Sequence, residues 1–222
     1  MFSAEELKRY TRQMMMDKWG EETQAKLKNS TIFIAGAGGL GSPVSIYLAV
    51  AGIGNMRICD FDSPDWSNLN RQILHNHDRV GTNKAISAKQ TLSELNPHIN
   101  ITAFPTKIVS ENVDELVGDA SIIVDCMDNF PTRYLLNECA IRKKIPMVYG
   151  SIWGMEGRLS FLNPPEPPGV IGTLQALEVI KYLTGIGNNL KSRILVWEGM
   201  SVEFKKYKAY KDPQCPVCST LK

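Results

Sequence analysis

Short apolar runs and amphipathic stretches alternate along most of the chain, and their order predicts the fold. "TIFIAG" (31–36) is a compact apolar run of the kind shown by a strand buried on both faces. "LGSPVSIYLAVA" (40–51) follows with helical spacing, and Gly52 and Gly54 mark its end. "NMRICDFD" (55–62) is the next apolar run, so residues 31–62 predict a strand–helix–strand unit. "NKAISAKQTLSELNP" (83–97) predicts a helix stopped by Asn-Pro. "INITAFP", "ASIIVDCMD" and "IPMVYG" predict further strands, with helices near 110–118 and 131–143 between them. Residues 3–28 have helical spacing and end in the polar, basic "QAKLKNS".

This alternation argues for a doubly wound α/β sheet. The last third is different. "GRLSFLN" and "SRILVWEGMSVEFKKYKAY" are strand-rich and flank one helix, "VIGTLQALEVIKYLTG". The expected fold class is therefore α/β, a Rossmann-like sheet whose parallel N-terminal part is continued by antiparallel strands. One domain over 1–222 is expected, with a helical arm (1–30), a nucleotide-binding half (31–150) and an antiparallel half (151–222).

Composition narrows the class without choosing a function. The chain has 222 residues, 43% of them hydrophobic and 22% charged, as ordinary soluble domains do. A formal charge of +2 is too small to argue for nucleic acid or a membrane surface. "MFSAEELKRYTRQ" lacks the apolar core of a signal peptide, and no run approaches a membrane span. Five cysteines, three of them dispersed in apolar segments, do not form a disulfide framework, so cytoplasm is expected. Cys215 and Cys218 form a C-x-x-C pair, which there suggests metal or redox chemistry.

The chemistry begins at "GAGGLG", where Gly36, Gly38 and Gly41 make a G-x-G-x-x-G between strand and helix. That pattern gives a tight turn, close backbone approach to a phosphate, and a helix N-terminus facing the anion. Asp60 comes about twenty residues later, where dinucleotide folds place the acid that holds a ribose hydroxyl. An NAD-dependent oxidoreductase is one reading. Arg71 and Lys84 follow the acid, however, and two fixed cations suit a triphosphate. Asp128 follows a predicted strand and could hold Mg²⁺ between phosphates. Taken singly, Arg71 and Lys84 could be solvated surface charges and Asp128 a helix cap. Together with the loop they favour ATP.

Seven segments carry a resemblance: "RYTRQ", "GAGGLGSPVSIYLAVAGIGNMRICDFD", "SNLNRQ", "VGTNKA", "DCMDNFPTRYLLN", "GVIGTLQALEVIKYL" and "CPVC". They resemble the E1-like family, more narrowly its MoeB/ThiF/HesA adenylyltransferases. The resemblance implies ATP-dependent activation of the C-terminal glycine of a ubiquitin-like sulfur carrier protein, in molybdopterin or thiamin type sulfur transfer, by a homodimer. It implies that Gly39 approaches the phosphates and Asp60 holds the ribose. Asn68, Arg71 and Gln72 would line the triphosphate pocket with Lys84, and Asp62 and Asn129 are further candidate nucleotide contacts. Asp128 would be the essential acid associated with Mg²⁺, and Arg12 would reach the nucleotide of the other subunit. A related enzyme acting on a tRNA base or a peptide is the alternative within the same family.

The chain departs from the family pattern in one place. A first C-x-x-C is expected before the Pro-Glu-Pro-Pro run, followed by a loop that often bears a cysteine. Here "SFLNPPEPPGVIGTLQ" runs straight on, and no cysteine lies between Cys139 and Cys215. A structural Zn²⁺ needs four ligands, and Cys215 and Cys218 supply two. Segments are therefore expected to be missing near Asn163–Pro165 and Pro168–Gly169, against a genuine contraction of the loop.

Other residues take plainer readings. Cys126 and Cys139 read as core. His75, His77 and His98 lack metal-ligand spacing, and "LHNHDRV" reads as a polar loop. Met14, Met15 and Met16 with Trp19 read as packing. Trp153 could touch the incoming carrier tail or serve core or dimer packing, and Arg133 could pair with Asp128 or Glu138.

Overall fold

The computed structural model describes residues 1–154, 156–162, 172–198 and 203–210. Its strands are β1 (Thr31–Ala35), β2 (Asn55–Cys59), β3 (Asn100–Phe104), β4 (Ile123–Asp125), β5 (Met147–Trp153), β6 (Glu156–Leu162), β7 (Arg193–Glu198) and β8 (Glu203–Lys208). They form one eight-stranded sheet in the order β3-β2-β1-β4-β5-β6-β7-β8. Neighbours are parallel from β3 to β5 and antiparallel from β5 to β8. The expected change from parallel to antiparallel therefore falls at the β5–β6 hairpin.

The period-two alternation of β1 decides how the sheet is covered. Ile32 and Ile34 join a core with Val44, Leu48, Met56, Leu92 and Val179, which brings in α3 (Gly41–Ala51), α4 (Lys84–Leu95) and α7 (Gly172–Thr184). Phe33 and Ala35 point the other way, into a second core with Ile123 of β4, Val117 of α5 (Val113–Val117) and Leu136 of α6 (Phe130–Lys143). Both faces are dry because the strand is apolar at every position after Thr31. Each such large side chain, fully buried, contributes roughly 1.5–3 kcal/mol.

Sheet order places the site. The chain leaves β1 for β2 and β3 on one side, then returns to lay β4 on the other side of β1. The carboxyl ends of β1 and β4 thus flank a topological switch point, where the connecting loops diverge and leave a crevice.

Local readings needed correction at several ends. The arm is two helices, α1 (Ala4–Met14) and α2 (Gly20–Lys28), separated by positive φ values of 63° at Lys18 and 59° at Gly20. Met15 and Met16 are 70% and 49% exposed, outside the buried core of the described residues, whereas Trp19 does pack against the core. β2 stops at Cys59 because Asp60 turns its carboxylate back onto the glycine loop. β5 runs on to Trp153, which is 88% exposed, so its core reading is wrong. Among the described residues no helix is long and apolar enough to cross a membrane. The joins at Asn163–Pro165 and Pro168–Gly169, and Cys215 and Cys218, lie outside the described residues.

Candidate active site

The glycines between β1 and α3 divide into two kinds. Gly36 has φ of 97°, and a methyl group there would lie 2.9 Å from Cys126 O. A methyl group at Gly41 would lie 2.0 Å from Gly36 O. These two glycines are required by the turn itself. Gly38 and Gly39 are not: methyl groups there would come no closer than 3.6 Å, to Gln72 Nε2 and to the Arg71 stem respectively. Among the described residues, packing leaves room for a side chain at both positions. Among the described residues, the N–H groups of Gly38, Gly39 and Leu40 donate no hydrogen bond, and α3 begins without a side-chain cap. Successive free N–H groups at the positive end of a helix form an anion cradle.

Asp60 is tied to this loop. Its Oδ2 accepts from Ala37 N at 2.8 Å and its Oδ1 from Asp62 N at 2.9 Å. Burial pushes the carboxyl above its ordinary pKa, against those two N–H groups and the positive charge of Lys84. Asn83 caps α4 and donates Nδ2 to Asp60 O at 2.9 Å and to Asp62 O at 3.2 Å. Lys84, the first residue of α4, is therefore held beside the acid. Its Nζ lies 3.3 Å from Asp62 Oδ2 and its side chain is buried, which rules out the solvated-charge reading.

Arg71 is exposed, with Nη1 donating to Ser67 O at 3.1 Å and Asn70 Oδ1 at 2.8 Å, while its stem lies along Gly39. Gln72 is buried against Gly38, and its Oε1 has no hydrogen-bond partner among the described residues. Asn68 is engaged locally: its Oδ1 accepts from Asp65 N at 3.2 Å and closes the short 3-10 helix Trp66–Asn68.

Asp128 lies three residues beyond β4 in the loop to α6. Asn129, not Asp128, caps that helix, accepting from Thr132 N at 3.0 Å. The helix-cap reading of Asp128 is therefore wrong. Its carboxylate is exposed, with a single 3.4 Å contact from Asn129 Nδ2, and is open to a cation. A single carboxylate, completed by phosphate oxygens and water, is the donor set Mg²⁺ takes. Among the described residues no three His, Cys, Asp or Glu side chains converge as a metal site.

Arg133 holds this loop from beneath, and its partners correct the expected pairing. It pairs with neither Asp128 nor Glu138. Its Nε lies 3.4 Å from Asp125 Oδ2, and it donates to Tyr149 Oη at 2.6 Å, Gly150 O at 2.9 Å and Met127 O. Asp125 is fully buried, and burial pushes its carboxyl to about 7 against the opposing pull of Arg133 and Met127 N–H.

Two parts of the site carried no readable motif. One is a cavity of about 460 Å³ beside Asp60, lined in part by Thr106, Ile108, Val109, Met127 and Leu135. Only the position of residues 106–109 directly after β3 could have pointed to it. The other is His75, expected in a polar loop but buried under Ala37. Cys59, Cys126 and Cys139 are buried free thiols, as expected of core cysteines. Arg12 is exposed on α1, whose Gln13 donates to Ala51 O at the C-terminal end of α3. This part of α1 thus meets the end of α3 away from the glycine loop.

Known proteins share this arrangement of the chain. A model of the ThiF family matches residues 10–169. The chain is 36% identical over 250 residues to the sulfur carrier protein adenylyltransferase of Thermus thermophilus, covering 98% of this chain and 92% of that protein. That alignment is longer than the 222 residues present here, so the relative carries residues with no counterpart in this chain. The adenylyltransferase and sulfurtransferase MOCS3 of Drosophila sechellia is 37% identical, and this chain spans 54% of its length. Among solved structures, E. coli MccB with MccA superposes with a TM-score of 0.84 at 22% identity, covering 95% of this chain and 74% of that one, a likeness of fold alone.

Proposed function

Starting from a chain that belongs to the ThiF family, we propose that it is an ATP-dependent adenylyltransferase that activates a ubiquitin-like sulfur carrier protein. The observation that carries this reading is the set of free N–H groups at Gly38, Gly39 and Leu40, on a loop that Asp60 bonds through Ala37 N and beside which Asn83 and Asp62 hold Lys84. An oxidoreductase has no use for the buried Lys84 and the open Asp128, and the aligned relative is an adenylyltransferase.

The roles follow from position. The cavity beside Asp60 takes the adenine, with apolar walls from Ile108, Val109 and Leu135. Asp60 then holds the ribose, while Asp62, Asn68, Gln72 and Asn129 border the nucleotide. The loop N–H groups and the α3 terminus bind phosphate, with Gly36 and Gly41 holding the turn. A carboxylate oxygen of the carrier's C-terminal glycine attacks the α-phosphorus. The bond from that phosphorus to the bridging oxygen breaks, and pyrophosphate leaves with the electron pair. The attacking carboxylate is already ionised at neutral pH, so no general base is needed. Arg71 and Lys84 offset charge on the phosphates as the bond breaks. Asp128 would hold Mg²⁺, which when bound adds to that charge neutralisation.

The same reading includes a homodimer in which Arg12 serves the partner's nucleotide, since it lies far from its own. It includes a structural Zn²⁺ to which Cys215 and Cys218 contribute, a cytoplasmic location, and a place in molybdopterin or thiamin type sulfur transfer. Incubation with MgATP and a candidate carrier tests the core of it. The carrier's C-terminus should gain the mass of one AMP, and labelled pyrophosphate should exchange into ATP. Neither adduct nor exchange with carriers, but exchange once a peptide or tRNA is supplied, would point to a different acceptor.

A further inference from the structure

The His75 imidazole lies under the glycine loop and takes no part in the chemistry above. Its Nε2 is 2.9 Å from Ala37 O and its Nδ1 is 2.9 Å from Ser87 Oγ. A carbonyl oxygen only accepts, so Nε2 carries the proton and the Ser87 hydroxyl donates to Nδ1. Burial lowers the pKa of the ring, and Lys84 and Arg79 act in the same direction, while the bond to Ala37 opposes them. Burial and the two cations therefore favour the neutral ring.

Ala37 is gripped on both sides. Its N–H donates to Asp60 Oδ2 at 2.8 Å and its carbonyl accepts from His75. In a trans peptide the C=O and the following N–H point in opposite directions. With Ala37 O drawn to the ring, Gly38 N–H is turned away from it, toward the open side of the loop. Ser87 lies one turn after Lys84 on α4, and its N–H donates to Asn83 O at 2.9 Å. The imidazole is thus a strut between the glycine loop and the helix that presents Lys84.

We infer that His75 is a positioning residue for the phosphate-binding loop, fixing the Ala37–Gly38 peptide so that the loop's free N–H groups meet the phosphates of ATP. The inference rests on reading the crevice as an ATP site. A strut of this kind acts on nucleotide binding more than on bond breaking, because it sets the shape of the cradle before the substrate arrives.

Two substitutions separate positioning from mere packing. In His75→Gln the longer side chain can place its amide N–H₂ where Nε2 was, and so still donate to Ala37 O. In His75→Asn the amide reaches only the place of Nδ1. Affinity for a non-hydrolysable ATP analogue should fall about tenfold in His75→Asn and stay within about threefold of wild type in His75→Gln. The ATP KM in pyrophosphate exchange should follow the affinity, with kcat changed less than KM. Wild-type affinity in His75→Asn, or equal weakness in both variants, would overturn the inference. Nitrogen NMR of the wild-type histidines is an independent readout if the variants fold poorly: an Nε2–H tautomer is expected at His75, and an Nδ1–H tautomer would overturn the assignment. Wild-type protein that binds the analogue without exchanging pyrophosphate would count against the adenylyltransferase reading alone.

Discussion

Arg133 and Asp125 form a buried ion pair, 3.4 Å apart, directly beneath the loop that carries Asp128. The same guanidinium reaches Gly150 O and Tyr149 Oη on β5, so it ties the loop after β4 to the neighbouring strand. At pH 8 and above, where the Asp125 carboxyl is mostly ionised, replacing Arg133 by Met leaves it without its counter-charge, and loss of one partner of a buried pair costs about 3–5 kcal/mol. A fall of that size in urea unfolding is expected, and a change under about 1 kcal/mol would show that the pair contributes little.

The pair also predicts a pH dependence. Burial raises the Asp125 carboxyl from its ordinary value of 3.8 to about 7. Between those values the folded chain holds a proton that the unfolded chain has released. Stability supplied by that proton is present at low pH and is lost as pH rises through the window. Asp125→Asn keeps an acceptor for Met127 N–H and removes the titration. Its urea midpoint should therefore fall less than that of the wild type between pH 5 and pH 8, in buffers that span this window. Parallel pH profiles would assign the slope to other groups.

The two kinds of glycine should respond oppositely to alanine. Gly41→Ala places a methyl group 2.0 Å from Gly36 O, which the turn cannot absorb, so loss of the folded state is expected. Gly39→Ala meets only the Arg71 stem at 3.6 Å, so its melting temperature should stay near wild type. Its affinity for ATP should nevertheless fall, because the methyl group occupies the phosphate approach. Normal ATP binding in Gly39→Ala would remove that position from the cradle.

Asp128 and Lys84 are expected to matter for chemistry rather than folding. Asp128 is exposed with one weak contact, so Asp128→Ala should fold and abolish pyrophosphate exchange. Lys84→Met keeps the buried stem and removes the charge; a drop in kcat on the order of a hundred- to a thousandfold is expected. Retained exchange in either variant would dismiss that residue from its role.

Complementation tests the role of Arg12. If Arg12 serves the partner's nucleotide, a heterodimer of Arg12→Ala and Asp128→Ala subunits contains one intact site. Mixing the two inactive variants after co-refolding should restore roughly a quarter of wild-type activity, since half of randomly paired dimers are mixed and each has one working site of two. No recovery would place Arg12 in its own chain's site or outside catalysis.

The local parts of this protein were legible in its sequence because they rest on interactions close along the chain. Short continuous apolar runs and helical spacing at period 3.6 identified β1, α3 and β2, and the glycine spacing between them identified the turn. Asp60 could be read as a neighbour of that turn because a strand–helix–strand unit fixes where its ends return. Segment ends were less legible, as at β2, where Asp60 leaves the strand to bond Ala37.

What tertiary structure decided were contacts between segments with no mutual signal in sequence. Arg133 read as a partner for Asp128 or Glu138 until burial enclosed it with Asp125. Residues 106–109 became a cavity wall only because β3 lies beside β2 and opens its following loop toward α6. His75 is 38 residues from Ala37 and looked like part of a polar loop. Packing of α4 against the sheet brought Ser87 to its other nitrogen and buried the ring. Sequence sets which groups a loop carries, while the direction in which each polar atom is satisfied depends on which distant backbone the sheet order brings within hydrogen-bond reach.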